Sequence, residues 1–111
     1  MPTPKDEKTQ RVRDQLSEFA VETDRADSGL STLSFQSKLL SYRHVWIDTD
    51  TVPVGEMAID LEDWRDNTNW DNAVARLSVR DTPVLARIAK SWLLGSPLAN
   101  CKRIGGTEVT G

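Results

Sequence analysis

Residues 81–83, Asp-Thr-Pro, leave the chain after them little freedom. An aspartate able to accept the first amide protons of a helix, then a proline in the first turn where its missing N–H is not needed, marks a helix start. Beyond it Val84, Leu85, Ile88 and Trp92 recur at helical spacing, with Arg87 and Lys90 on the opposite side, until Gly95 and Ser96-Pro97 stop the run. A helix with one apolar stripe must bury it, and 111 residues supply one core rather than two.

Helical spacing recurs elsewhere. Thr3-Pro4 offers a second helix start, and Val12, Leu16 and Phe19 follow at i, i+4 and i+7, with Glu7 and Arg11 placed as an i,i+4 pair. Residues 24–31 have turn composition. Phe35, Leu39 and Tyr42 fit a helical face, with Ser34 as its cap. Met57, Leu61 and Trp64 form another, with Glu56, Asp60 and Asp63 beside it, and a further helix over 70–79 buries Trp70, Val74 and Leu77. Only residues 44–48, His-Val-Trp-Ile-Asp, read as a strand, with Val52-Pro53-Val54 as a returning edge strand. The spacing therefore predicts a mainly α domain of four to five helices over residues 1–96, with room for one short β-hairpin near 43–54. Residues 1–23 form a semi-detached amphipathic helix and 97–111 a loosely ordered tail. Trp64, Trp70, Leu77, Ile88 and Trp92 are expected in the core.

Charge is strongly segregated along the chain. Residues 44–71 hold eight acids against the single base Arg65, whereas residues 72–104 hold Arg76, Arg80, Arg87, Lys90, Lys102 and Arg103 against Asp81 alone. Trp46, Trp64 and Trp70 fall in the acidic stretch. Two faces for charged partners are the natural expectation. The net charge of −3 argues against nucleic-acid binding by bulk charge, though a local basic patch can serve.

The usual catalytic and metal signatures are missing. Asp48-x-Asp50 starts like a calcium loop, but that loop's fifth position falls on Val52, its glycine on Pro53 and its bidentate acid on Ile59. The lone histidine, His44, sits in the expected strand with no nucleophile near it in sequence, and the lone cysteine, Cys101, sits in the expected tail. No phosphate-loop, dinucleotide, zinc-protease or nucleophile-elbow pattern occurs. The expectation is a protein that is not an enzyme and carries no cofactor or metal. No apolar run is long enough to span a bilayer and the N-terminus lacks a signal-peptide core, which points to the cytoplasm, of a cell or of an infected host.

The leading functional expectation is a non-enzymatic interaction module or inhibitor whose acidic, Trp-rich surface engages a basic partner, such as a nucleic-acid-binding protein, through Trp46, Asp48, Asp50, Glu56, Asp60, Asp63 and Asp66. Acids at helical spacing would imitate a phosphate backbone. The alternative is a small helix-turn-helix DNA-binding protein using Arg76, Arg80, Arg87, Lys90 and Ser91 on the helix pair 70–94. A further alternative is a structural subunit that self-assembles through its N-terminal helix.

Overall fold

The computed structural model describes residues 4–23, 32–49, 56–65 and 73–109. Helix α1 (Pro4–Leu16) leads into strands β1 (Ala20–Thr23), β2 (Thr32–Ser37), β3 (Arg43–Asp48), β4 (Met57–Asp63) and β5 (Ala73–Val79). Helices α2 (Thr82–Leu93) and α3 (Leu98–Ile104) and the short strand β6 (Thr107–Glu108) follow. The strands form one six-stranded sheet in chain order, every neighbouring pair antiparallel. The protein is an α+β domain, not the mainly helical bundle that the helical spacings predict.

The correction has a simple physical origin. Met57 and Leu61 satisfy a helical period, but Met57, Ile59 and Leu61 also satisfy a period of two, and all three are fully buried. Ala75, Leu77 and Val79 repeat the pattern on β5, and Leu33 and Phe35 on β2. The segments expected as helices at 34–43, 55–66 and 70–79 instead carry strands β2, β4 and β5, with residues 38–42 forming the connection from β2 to β3. Residues 43–48 are a strand as expected, while the proposed return strand at 52–54 lies outside the described residues.

The same alternation divides the sheet into two faces. Leu33, Phe35, Val45, Ile47, Met57, Ile59, Leu61, Leu77 and Val79 point toward the helices and form the core with Leu85, Ile88, Ala89, Trp92 and Leu93 of α2. From α1, Val12 and Leu16 are fully buried in that same core. The start at Asp81 is as read, with extended backbone there and proline in the first turn, although the Asp81 carboxylate caps no amide. Gly95, at φ +102°, ends α2: its N–H donates to Trp92 O (3.1 Å) while Ser96 N–H donates to Ser91 O (3.0 Å). Residues expected as a loose tail instead form α3 and β6, and Cys101 is fully buried, which pushes its thiol pKa up. No described helix is long and apolar enough to cross a membrane.

The two readings of residues 57–63 are separable by experiment. In a helix, Ile59 would face away from Met57 and Leu61 among the acids; in the sheet it is fully buried beside them. Ile59→Ala is expected to cost about 2–5 kcal/mol in urea unfolding. Leu39→Ala, at an exposed turn position, should cost less than about 0.5 kcal/mol.

Candidate functional site

The face turned away from the helices carries most of the residues singled out by charge. Trp46 and Asp48 project from β3 and Asp60 from β4, with Glu56 in step with Asp60 just before that strand. Register sets Trp46 between Ser34 on β2 and Asp60 on β4, and Asp60 opposite Arg76 on β5, so one row crosses the sheet from Thr23 to Arg76. Asp63 belongs to the opposite side of β4, and Asp50 and Asp66 lie outside the described residues.

Several polar groups in this row and the next are shielded from solvent: Ser34, His44, Asp60 and Glu62 are all buried. Each is held by its neighbours. Thr23 Oγ1 donates to Ser34 Oγ (2.7 Å). His44 stacks against Trp64 with ring centroids 4.4 Å apart, and its Nε2 lies 3.2 Å from Ser41 O, a contact in which Nε2 carries the proton and donates. Trp64 Nε1 donates to Glu62 Oε1 (3.3 Å). Trp64 is therefore a half-buried lid on the face away from the helices rather than a core residue, and Trp70 lies outside the described residues. The odd group out is Trp46, whose indole N–H is shielded from water and has no acceptor among the described residues.

The acidic and basic stretches meet across one strand boundary. Arg76 grips Asp60 with two bonds, Nε to Oδ1 at 2.5 Å and Nη2 to Oδ2 at 2.8 Å. Arg80 reaches Glu56 at 3.4 Å, and Arg65 holds Asp63 through Nη2 and Nε. Three of the carboxylates expected to form a bare acidic surface, Glu56, Asp60 and Asp63, are thus engaged by arginines on β5 or just beyond β4 and β5. Arg65 keeps the Asp63 carboxyl below the usual carboxylate range, chiefly by its side-chain hydrogen bonds.

The helix-turn-helix expectation fails on the fold. Its first helix is β5, so Arg76 and Arg80 stand on the sheet face away from the helices, while Arg87, Lys90 and Ser91 belong to α2 on the other side. Those residues do not converge on one groove-reading surface. Glu62 was missed by the sequence reading, although its place in the alternation Ala58-Asp60-Glu62 is visible in the chain. Among the described residues no group of three or more His, Cys, Asp or Glu side chains is placed to share a metal ion.

Two consequences are measurable. Arg76→Ala strands the buried Asp60 carboxylate, and because Arg76 itself is half exposed the expected loss is about 1–3 kcal/mol. The Asp60→Ala/Arg76→Ala double variant should lose less than the sum of the single changes in the same denaturation assay. For Asp63, Arg65 favours the ionised form, so the folded pKa lies below the unfolded one. The pair's stabilisation is full above the unfolded carboxylate value, about 4, and is lost as pH falls through the lower folded value. Asp63→Asn should therefore lower stability at pH 7 and leave the variant with a shallower acid-induced loss than the parent.

The chain matches no family model, and neither a curated protein nor a solved structure is significantly similar to it.

Proposed function

We propose that the protein is a non-enzymatic interaction module that engages a basic partner through the sheet face turned away from its helices. The observation that carries the reading is Trp46, half-buried in the middle of that face, with an indole N–H that has no acceptor among the described residues. A buried donor left unsatisfied costs about 1–3 kcal/mol, and the part of Trp46 open to a partner is the exposed portion of its ring. Tryptophan is also among the residues most enriched at binding hot spots, where a rigid ring and one donor fix both area and orientation.

Charge supports the sign of the partner. On and beside this face stand the carboxylates of Asp48, Glu56, Asp60 and Glu62 against the guanidiniums of Arg76 and Arg80. Pairing reduces the acidic excess without removing it. A basic partner would be steered toward the face and positioned by Trp46, with Val21, half exposed on β1, as apolar margin. The acidic bias of the segment then acts on approach more than through isolated surface charges.

The test is a comparison of baits. Wild type, Trp46→Phe and the helix-layer variant Lys90→Ala are each used to capture binding partners at low and moderate salt, with urea unfolding confirming that all three fold. A partner retained by wild type and Lys90→Ala, weakened about tenfold or more by Trp46→Phe and weakened by salt, is the expected result. Equal retention by wild type and Trp46→Phe of every salt-sensitive partner would remove the reading.

A further inference from the structure

On the other side of the molecule, α1 and α2 leave between them a cleft of about 330 Å³ lined by Arg11, Asp14, Gln15, Thr82, Pro83 and Arg87. Five of the eight described arginines are engaged within the protein, and Arg11, Arg87 and Arg103 are not. Arg13 pairs with Glu22, Arg65 with Asp63, Arg76 with Asp60 and Arg80 with Glu56, and Arg43 donates to the carbonyls of Trp92 and Ser96. Arg11 and Arg87 form no hydrogen bond or ion pair with any described residue, and both line this cleft. The Glu7–Arg11 pair that the spacing allows is not made. Asp14, the one carboxylate among the lining residues, accepts a bond from Gln10 Nε2 (2.9 Å) and joins neither arginine in a salt bridge.

We infer that this cleft is a binding site for a small molecule bearing a terminal phosphoryl group, held by Arg11 and Arg87. A guanidinium presents its donors as a planar fork that matches oxyanions in pairs. The two forks come from different helices and so approach a ligand from two sides. A carboxylate presents two oxygens in one plane, whereas a phosphoryl group presents three terminal oxygens pointing in different directions and carries more negative charge, and so suits two forks better. Gln15 supplies a neutral amide, and the Thr82 hydroxyl is bound only through a long 3.9 Å contact to Met57 Sδ. The volume suits a ligand a little larger than the bare anion, at the small end of ordinary ligand sites. The site is built from exposed side chains of the helix layer, independent of Trp46, so neither reading depends on the other.

Titration of the whole protein by amide chemical shifts tests this, with inorganic phosphate, glycerol phosphate and acetate as probes at constant ionic strength. Saturable shifts confined to residues around Arg11 and Arg87, stronger for glycerol phosphate than for acetate, are expected. Arg11→Ala and Arg87→Ala should each weaken phosphate binding about tenfold or more, and Arg87→Lys should recover only part of it, because a point charge lacks the fork. Both positions are exposed, so urea unfolding should show the variants as stable as the parent. Acetate binding as tightly as the phosphate probes would overturn the phosphoryl assignment. Non-saturating shifts, or shifts that survive in the Arg11→Ala/Arg87→Ala double variant, would overturn the site.

Discussion

The contact on which the rest of the arrangement depends is the clasp between the end of α2 and the middle strands. A helix leaves its last carbonyls without intrahelical partners, and here the sheet supplies the donors. Ser37 Oγ on β2 donates to Leu93 O (2.6 Å), while Arg43 on β3 reaches Trp92 O (3.1 Å) and Ser96 O (2.6 Å). Trp92 answers from the helix, its Nε1 donating to the backbone carbonyl of Glu62 on β4 at 3.1 Å. The Arg43 guanidinium lies 3.7 Å from the centre of the same indole ring. Three consecutive strands are thereby fixed to one helix end. The rotation of α2 that buries Leu85, Ile88 and Ala89 follows from where Trp92 is held.

Where one period explains a segment, the sequence is legible. The helix from Asp81 to Gly95 is read correctly because its apolar residues fit the helical spacing and both ends carry stop signals. Residues 57–63 defeat the same reading because Met57 and Leu61 are four apart, which both periods permit. Ile59 decides between them: it is out of place on a helix that buries Met57 and required in a strand that does. Likewise Val12, Leu16 and Phe19 continue a helical stripe, but α1 ends at Leu16 and the chain turns so that Phe19 O can accept from Lys38 N–H beside β1. No local signal announces that bond, since its donor comes from beyond the next strand.

The segregation of charge was legible and its meaning was not. In a helical bundle, an acidic segment followed by a basic one can place each charge on its own exposed face. In an antiparallel meander consecutive segments lie side by side, and residues directly opposite are neighbours. Asp60 thus meets Arg76 by register alone, and Glu56 comes within reach of Arg80 by the same alternation. A block pattern along the chain becomes a pairing pattern across the sheet. Of the partner-binding positions read from the sequence, Trp46, Asp48, Glu56 and Asp60 do share one face, for the separate reason that they fall on matching parities of adjacent strands.

Beside that pairing stands the Trp46 indole, whose N–H has no acceptor among the described residues. Glu62 serves two tryptophans from opposite sides of the sheet, its carbonyl accepting from Trp92 and its carboxylate from Trp64. Trp46 sits one row away, beside Asp60, the nearest carboxylate by register. Each Asp60 oxygen accepts a bond from the Arg76 fork on β5. Ser34, the other cross-strand neighbour, already accepts from Thr23. The acid in the middle of the face is thus paired with an arginine, and the Trp46 N–H makes no bond to it. A partner that packs on the exposed part of the Trp46 ring need not break the Asp60–Arg76 pair, so recognition at this face leaves the bonds that hold β4 to β5 intact.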